Sequence, residues 1–149
     1  ASCAACNARA KLLLREEEFM PMLQQGDGGS RASTKARGDA AEDAALALLQ
    51  DKGLRLLGRN YRMPGRGAAE IDLIMQTPEG TVVFVEVRQR SRASHGGAGA
   101  SIGAAKRARI VRAAQHYLMR WRRLPPVRFD AVLIEAEGPV WLQAAFDAG

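Results

Sequence analysis

The stretch AEIDLIMQTPEGTVVFVEVRQR, residues 69–90, constrains the fold of this chain more than any other segment. It contains two apolar runs of strand length, joined by Pro78-Glu79-Gly80. Pro suits the first corner of a type I turn and Gly suits the left-handed position that follows, which favours a three-residue hairpin loop. The segment therefore predicts a β-hairpin, and its apolar character predicts a sheet that is covered on both faces.

Charged residues interrupt both strands of this hairpin. A three-residue loop sets the cross-strand pairs as Thr77 with Thr81, Ile74 with Phe84, Asp72 with Glu86, and Glu70 with Arg88. Strand alternation places Glu70, Asp72 and Ile74 on one face, opposite Ile71, Leu73 and Met75. Like charges directly opposed lie about 5 Å apart at Cβ and destabilise a sheet. Asp72 and Glu86 therefore require a compensating charge.

A divalent cation compensates two carboxylates most directly, because Mg2+ prefers a few carboxylate oxygens together with water and phosphate. Arg88 follows Glu86 by two residues and is placed to hold a phosphate through its planar guanidinium. A second interpretation gives the charges no function: Glu70 pairs with Arg88, Asp72 pairs with a nearby arginine, and the face is solvated. The same face also carries the apolar residues Ile74, Val82 and Phe84. Charge on a covered face is costly, which favours a functional role.

Helices are predicted on either side of the hairpin. The predicted elements are a helix from Asp39 to Asp51, a strand over Leu54–Arg62, strands over Glu70–Gln76 and Thr81–Arg88, a helix from Ser101 to Arg123, a strand over Val127–Ile134, and a short strand over Val140–Leu142. This order predicts an α/β fold with a mixed sheet flanked by helices. Glu42 is either the third residue of a capping box after Asp39 or part of a helical stripe that faces the sheet.

Residues 1–37 lack a periodic pattern and predict a flexible N-terminal tail, followed by a single domain over residues 38–149. Met20 or Met22 is the expected natural start, since the chain does not begin with Met. Cys3 and Cys6 have no second ligand pair downstream, which argues against a zinc site or a disulfide framework. No apolar run approaches the roughly 20 residues that cross a bilayer, and no secretory leader is evident, so a cytoplasmic protein without a membrane partner is expected.

The positive charge of the chain is concentrated in one block. The formal net charge is +6, and the sequence from Arg88 to Arg123 contains ten Lys or Arg residues and no Asp or Glu. Such a block favours an anionic partner, and nucleic acid, with DNA ahead of RNA, is the expected one. A solvated helix face explains the same arginines without any partner.

Several spaced motifs resemble those of the YraN-like family, a group of small, uncharacterised bacterial proteins. They are Gly38-Asp-Ala-Ala-Glu42, Gly53, Arg59-Asn60-Tyr-Arg62, Glu70-Ile-Asp72-Leu-Ile, Val83-Phe-Val-Glu86-Val-Arg88-Gln-Arg90, Lys106, Arg128-Phe-Asp130 and Ala145-Phe146. The family is similar in fold to the PD-(D/E)xK nucleases of the restriction-endonuclease type. The resemblance thus implies a restriction-endonuclease-like core with the order helix, three strands, helix, strand.

The resemblance also implies roles for individual residues. Asp72 and Glu86 match the two acids that bind Mg2+ or Mn2+, and Glu42 matches an acid on the preceding helix. Arg88 stands where the family of nucleases has a lysine, and unlike lysine it remains charged and cannot shuttle a proton. Ala69 replaces a usual Gly, which leaves the acids in place.

A metal-dependent nuclease-like protein, either an endonuclease or an exonuclease, is the leading hypothesis for function. In this hypothesis Asp72 and Glu86 bind the metal, and Arg90, Lys106 and Arg109 contact the nucleic-acid backbone. A catalytically inactive DNA- or RNA-binding module of nuclease ancestry is the alternative, favoured by the arginine in the lysine position. A third interpretation is an assembly partner that binds an acidic protein through the basic surface.

Overall fold

The structure, a computed structural model, describes residues 29–90 and 102–149. In chain order its elements are helix α1 (Gly29–Asp51), strands β1 (Arg55–Arg62), β2 (Glu70–Gln76) and β3 (Val82–Gln89), helix α2 (Ala104–Leu118), and strands β4 (Val127–Glu135) and β5 (Gly138–Phe146). The predicted order of elements is confirmed, and the last strand is longer than predicted. Within the described ranges, no helix is long and apolar enough to span a membrane.

The five strands form one mixed sheet in the order β1-β2-β3-β4-β5. Strands β3 and β4 are parallel, and the other neighbouring pairs are antiparallel. Parallel neighbours need a crossover connection, and α2 lies within the connection between β3 and β4. The fold is therefore mixed α/β, as the sequence predicts.

Each face of the sheet is covered by a different helix. The α2 cluster, as we call it, contains Ile110, Ala113, Ala114 and Tyr117 of α2 packed with Ile74, Val82, Phe84 and other sheet residues. The α1 cluster contains Ala45 and Leu49 of α1 packed with Leu73, Met75, Val83, Val85 and Val132. Successive residues of β3 alternate between the two clusters, as strand geometry requires. Both faces are apolar, which makes any charged side chain in this sheet conspicuous.

Backbone packing divides the chain into two units, Ala1–Ala36 and Arg37–Gly149. Of the first unit the structure describes residues 29–36, which are helical. The second unit contains the rest of α1, the whole sheet and α2. The predicted tail over residues 1–37 stays a prediction. Cys3, Cys6, Met20 and Met22 lie outside the described residues.

Helix α1 begins at Gly29, ten residues before the predicted start at Asp39. The capping box predicted for Asp39 and Glu42 is therefore wrong. A capping side chain satisfies backbone N–H groups that have no carbonyl one turn earlier, whereas the turn before Asp39 is already helical. Gly38 lies inside the helix, where nothing within 4 Å obstructs a side chain.

Helix α2 is shorter than predicted at both ends. It starts after Gly103 at its N-cap, while the predicted N-cap Ser101 lies outside the described residues. At the other end the Trp121 N–H bonds the Leu118 carbonyl, three residues back, at 3.0 Å. This tighter turn ends the α-helix before the predicted limit at Arg123.

The predicted hairpin loop between β2 and β3 is confirmed. The Thr77 N–H donates to the Thr81 carbonyl at 2.9 Å, and Gly80 has φ of 97°. This left-handed conformation suits glycine because it has no Cβ. Ile74 lies opposite Phe84, as the loop length predicts.

Candidate functional site

The ladder between β2 and β3 ends beside Asp72. Its last pair is Leu73 with Val85, so pairing does not continue to Asp72 and Glu86. Instead, the Val87 N–H donates to Asp72 Oδ2 at 2.8 Å. A carboxylate oxygen thus satisfies a backbone donor that the ended ladder leaves open.

Side-chain alternation in β2 also breaks at this point. Ile71 packs in the α2 cluster, whereas Leu73 packs in the α1 cluster. The sequence predicts both on one face, because residues two apart in a regular strand share a side. The neighbouring strand has a matching irregularity at Asn60, whose φ is 50°. Irregularities of this kind re-aim side chains, and here the one that lies between Ile71 and Leu73 is Asp72.

Glu70 has a different partner from the one predicted. Arg62 lies opposite Glu70 in the β1–β2 register, and Arg62 Nη2 is 3.2 Å from Glu70 Oε2. The β2–β3 ladder ends before it reaches Glu70 and Arg88, so these two residues do not form the regular cross-strand pair that the loop length predicts. Arg88 is half-buried on β3, where its backbone aligns with Leu133 of β4.

The Glu86 carboxylate on β3 is largely shielded from solvent. Only 10% of its side chain is exposed, and Oε1 lies 3.2 Å from Nζ of Lys106 on α2. Its other oxygen, Oε2, is buried and has no hydrogen-bond partner among the described residues. A buried carboxylate oxygen without a donor destabilises the fold, so this atom is suited to bind a cation or donor that the chain does not supply.

The charges around Asp72 come from three elements. Burial, followed by the charge of Glu86, raises the pKa of Asp72 to about 7, and the charge of Glu42 also raises it. The hydrogen bond from Val87 and the charge of Lys106 lower the pKa of Asp72. Near neutral pH the Asp72 carboxyl group is therefore stabilised either by binding a proton or by an additional positive charge nearby.

Glu42 lies on α1 and binds an arginine that the sequence interpretation left out of the site. Its Oε2 is 3.3 Å from Nε of Arg59 on β1, and Asp43 Oδ1 is 2.7 Å from Nη1 of the same arginine. The hydrogen bond with Asp43 is the largest cause that raises the pKa of Arg59. Because Ala45, one turn on, is buried in the α1 cluster, the structure agrees with the alternative in which the Glu42 stripe faces the sheet.

The three residues predicted to contact substrate have different surroundings. Lys106 joins the acidic residues through its contact with Glu86. Arg90 Nη1 instead pairs with Glu135 Oε1 of β4 at 2.7 Å. Arg109 is exposed, and its Nε donates to the Ala105 carbonyl of its own helix at 3.4 Å. Of these three, Lys106 is the one that the structure brings to the acidic pair.

Asp130 of β4 is a second buried carboxylate, and its structural role was not predicted from the sequence. Asp130 is fully buried and accepts four hydrogen bonds, from Arg128 Nε and Nη2 at 2.8 Å each and from Trp141 Nε1 and Ala144 N at 2.9 Å each. Both oxygens are satisfied by the chain itself. In the sequence, only the two-residue spacing of Arg128 and Asp130, which puts them on one side of a strand, hints at this pairing.

An apolar cavity of about 260 Å3 lies at a different place in the fold. It is lined by α2, β4 and β5 residues that include Val111, Leu118, Phe129 and Phe146. Arg128 also lines it, but its guanidinium is bound to Asp130. None of the lining residues belongs to the acidic pair, so Asp72 and Glu86 lie outside this cavity.

The acidic pair fits a hard divalent cation better than a metal that needs many protein ligands. Within the described ranges, no group of three His, Cys, Asp or Glu residues is placed to hold a metal ion. Mg2+ does not require such a group, since it binds one or two carboxylates and completes its coordination with water and phosphate. Asp72 and Glu86 provide two carboxylates, and Glu86 Oε2 is the open oxygen.

The fold and this candidate site define a class of small mixed α/β domain in which a sheet covered by two helices carries an acidic pair, half-buried Asp72 and buried Glu86. The chain belongs to the family described as uncharacterised protein family UPF0102, whose model matches residues 41–134. This match confirms the resemblance to the YraN-like family, which is small and bacterial, and the matched range includes Glu42, Asp72, Glu86 and Lys106.

Relatives in this family are similar over nearly their full length. The chain is 64% identical over 126 residues to a UPF0102 protein of Paracidovorax citrulli (strain AAC00-1), covering 83% of this chain and 93% of that protein. It is 61% identical over 130 residues to one of Acidovorax sp. (strain JS42), covering 87% and 98%. It is 52% identical over 127 residues to one of Cupriavidus taiwanensis, covering 85% and 95%.

Proposed function

We propose that the protein is a metal-dependent nuclease-like protein that hydrolyses phosphodiester bonds in nucleic acid. The observation that carries the proposal is Glu86, a carboxylate that is 10% exposed and has one oxygen without a donor among residues 29–90 and 102–149. It acts on the neighbouring Asp72 strongly enough to help raise the pKa of that carboxyl group. Such a pair is costly to fold unless a cation binds it. The order helix, three strands, helix, strand supports a restriction-endonuclease-like core by analogy.

Each residue of the site has a role that follows from its chemistry. Asp72 and Glu86 would hold Mg2+ or Mn2+, which when bound supplies positive charge at the scissile phosphate and lowers the pKa of a bound water. Arg88 binds and orients the phosphate through its planar guanidinium, which remains protonated at any working pH. Glu42, fixed by its contact with Arg59, accepts a hydrogen bond and orients water.

The basic surface supplies the affinity for a polyanion. Arg109 and Arg112 are exposed on α2, the helix that also carries Lys106. Contacts of this kind neutralise phosphates and fix the position of the nucleic acid without reading its sequence. Arg90 joins this surface at the end of β3, where Glu135 orients its side chain.

A binding module that holds nucleic acid without cutting it is the second candidate. Arg88 is the observation that favours it, because an arginine in the lysine position cannot give up a proton. In such a module the acidic pair and its metal would fix a phosphate, and the basic surface would provide the rest of the binding.

Cleavage assays with a matched pair of variants separate these functions. Supercoiled, linear, single-stranded and branched DNA, and RNA, are incubated with the protein in Mg2+ or Mn2+. Asp72→Asn removes one charge of the acidic pair. Glu70→Gln is the matched variant: it removes a carboxylate from the same strand, and that carboxylate pairs with Arg62. A contaminating nuclease would be equally active in both preparations.

The nuclease proposal predicts metal-dependent cutting by the wild type and by Glu70→Gln, with a loss of at least about 100-fold in Asp72→Asn. Salt-sensitive binding without cutting supports the binding module. If the protein neither cuts nor binds any of these nucleic acids, both the nuclease proposal and the binding-module proposal are contradicted.

A further inference from the structure

Lys106 connects the surface of α2 to the acidic pair, of which Glu86 is buried. Its side chain is 41% exposed, while the Glu86 carboxylate that it contacts is 10% exposed. The ammonium group therefore reaches inward from solvent, and it can return to solvent without disturbing the core. Its charge also acts on Asp72, so Lys106 serves both acids of the pair.

We infer that Lys106 is an internal counter-ion, which occupies the cation position of Asp72 and Glu86 until a divalent metal displaces its ammonium onto a phosphate of the nucleic acid. This inference rests on the proposed function of the site. It adds a coupling between the two ligands, because the metal frees a phosphate-binding group that is otherwise engaged with Glu86.

The geometry favours competition between the two cations. A single ammonium reaches Glu86 Oε1 and leaves Oε2 without a hydrogen-bond partner in the part of the chain that the structure describes. A divalent ion carries twice the charge and can bind oxygens of both carboxylates, which makes it the stronger occupant of the same position. Since Lys106 must first leave, it should weaken metal binding by a factor of about five, as expected for a partly exposed ion pair.

Lysine is suited to such an exchange in a way that arginine is not. Its compact ammonium lies on a flexible four-carbon stem, so it can move between a carboxylate and a phosphate by side-chain rotation. The exchange also makes binding reciprocal: if the metal strengthens nucleic-acid binding, nucleic acid strengthens metal binding by the same factor.

Titration calorimetry with Mn2+ alone tests the competition. Lys106→Met should bind Mn2+ about fivefold more tightly than the wild type, because the competing cation is gone. Arg107→Met is the matched control: it removes a positive charge from the adjacent, exposed position of α2, and its affinity should change less than about twofold. Lys106→Arg keeps a competing cation beside Glu86 and should therefore show no gain in Mn2+ affinity over the wild type.

Unchanged or weaker Mn2+ binding by Lys106→Met overturns the inference, and so does an equal gain in Arg107→Met, which would reflect net charge alone. If Asp72→Asn abolishes Mn2+ binding in the same series, the proposed metal site stands even though the inference falls. If neither the wild type nor Lys106→Met binds Mn2+, the proposed function and the inference both fall.

Binding of a cleavage-resistant phosphorothioate DNA duplex tests the release of the ammonium. At constant ionic strength, Lys106→Met should lose about threefold in DNA affinity with Mn2+ present and nothing without it, because only the metal-bound protein has the ammonium free for a phosphate. An equal loss in both conditions contradicts the exchange and indicates a fixed phosphate contact.

Discussion

Two buried carboxylates in adjacent strands of one sheet have opposite surroundings. Asp130 receives four hydrogen bonds from the chain, whereas Glu86 pairs with Lys106 and has one oxygen with no hydrogen-bond partner among the described residues. A satisfied buried charge stabilises the conformation around it, but an unsatisfied one lowers stability and persists in proteins chiefly where function requires it. The difference between Glu86 and Asp130 therefore lies in how many of their hydrogen bonds are satisfied, and this difference, rather than burial alone, favours Glu86 as a candidate site residue.

Asp130→Ala should be strongly destabilising. The change leaves the Arg128 guanidinium, the Trp141 indole and a backbone N–H without their acceptor, and breaking a buried pair in this way costs about 3 to 5 kcal/mol. Urea unfolding monitored by circular dichroism measures the loss. Glu137→Ala, an exposed carboxylate in the turn between β4 and β5, should change stability by less than about 0.5 kcal/mol. Similar effects of both changes would show that the Asp130 network does not stabilise the fold.

Asp72→Asn should alter how stability depends on pH. The pKa of Asp72 is about 7 in the folded protein and has an ordinary value of 3.8. Between these values the folded state holds a proton that the unfolded chain has released, so the free energy of unfolding falls as pH rises. Asparagine carries no charge and removes this fall. From about pH 5 to about pH 8 the variant should gain about 2 to 3 kcal/mol relative to the wild type.

The control for this pH effect is Glu70→Gln, whose carboxylate is more exposed and pairs with Arg62. Urea unfolding at both pH values should show the wild-type pH dependence in this variant. Parallel pH profiles for the wild type and Asp72→Asn would contradict the raised pKa of Asp72.

The sequence predicts a compensated acidic pair at Asp72 and Glu86, because acids in an apolar hairpin are costly; the structure places a charge near both acids, but it does not pair them directly across the ladder. The sequence did not predict the contact of Arg59 with Glu42, nor that Glu86 Oε2 lacks a hydrogen-bond partner among the described residues. The contact of Arg59 with Glu42 joins a helix to an edge strand, and neither residue carries a local signal of the other. The same holds for Trp141 and Asp130, which meet only once β5 has folded onto β4.

At the scale of elements, the hairpin loop was predictable and the end of its ladder was not. Pro78-Glu79-Gly80 is a local signal that fixes a register, and the register holds from Gln76–Val82 to Leu73–Val85. Beyond the pair Leu73–Val85, the Asp72 side chain accepts a hydrogen bond from the Val87 N–H, and the alternation of side chains along β2 breaks. The β2–β3 ladder therefore ends where the two acids lie, and Asp72 accepts a backbone hydrogen bond instead of continuing the pairing. The extent of α1 was also mispredicted, since weak helix formers such as Gly38 lie within it.

Gly38→Ala tests the longer α1. An alanine in an exposed helix interior stabilises by roughly 0.5 to 1 kcal/mol over glycine, and no atom within 4 Å of the glycine obstructs the new methyl group. Gly38→Pro should destabilise by about 3 kcal/mol, because proline removes a helical hydrogen bond. Chemical denaturation measures both changes. If instead the helix starts at Asp39, Gly38→Pro will be close to neutral.

At the scale of the whole molecule, the positive charge and the acidic pair have different roles in the proposed binding of nucleic acid. The net charge of +6 attracts a polyanion over a long range, while the buried acids repel it unless a cation is bound. The basic block was evident in the sequence, but which of its members pair with acids was not: Arg90 and Lys106 do, and Arg112 is exposed on α2. The proposed activity thus couples metal binding to nucleic-acid binding.

Arg112→Gln should reduce the salt dependence of nucleic-acid binding. Each phosphate contact contributes about 0.7 to 0.9 to the slope of log K against log salt, so losing one contact lowers the slope by that amount. Lys52→Gln removes an equal charge from an exposed position after α1 and should leave the slope unchanged. Fluorescence anisotropy over a range of salt concentrations measures both slopes. Equal reductions would show that net charge, rather than the α2 surface, governs binding.

Anomalous X-ray scattering from crystals grown in Mn2+ tests most directly whether the acidic pair is a cation site. The account predicts an anomalous peak within coordination distance of Asp72 and Glu86 carboxylate oxygens, with Lys106 Nζ moved away from Glu86, and no such peak in crystals of Asp72→Asn. Crystals in the same Mn2+ concentration that show no peak at these oxygens, with Lys106 still bound to Glu86, would contradict it.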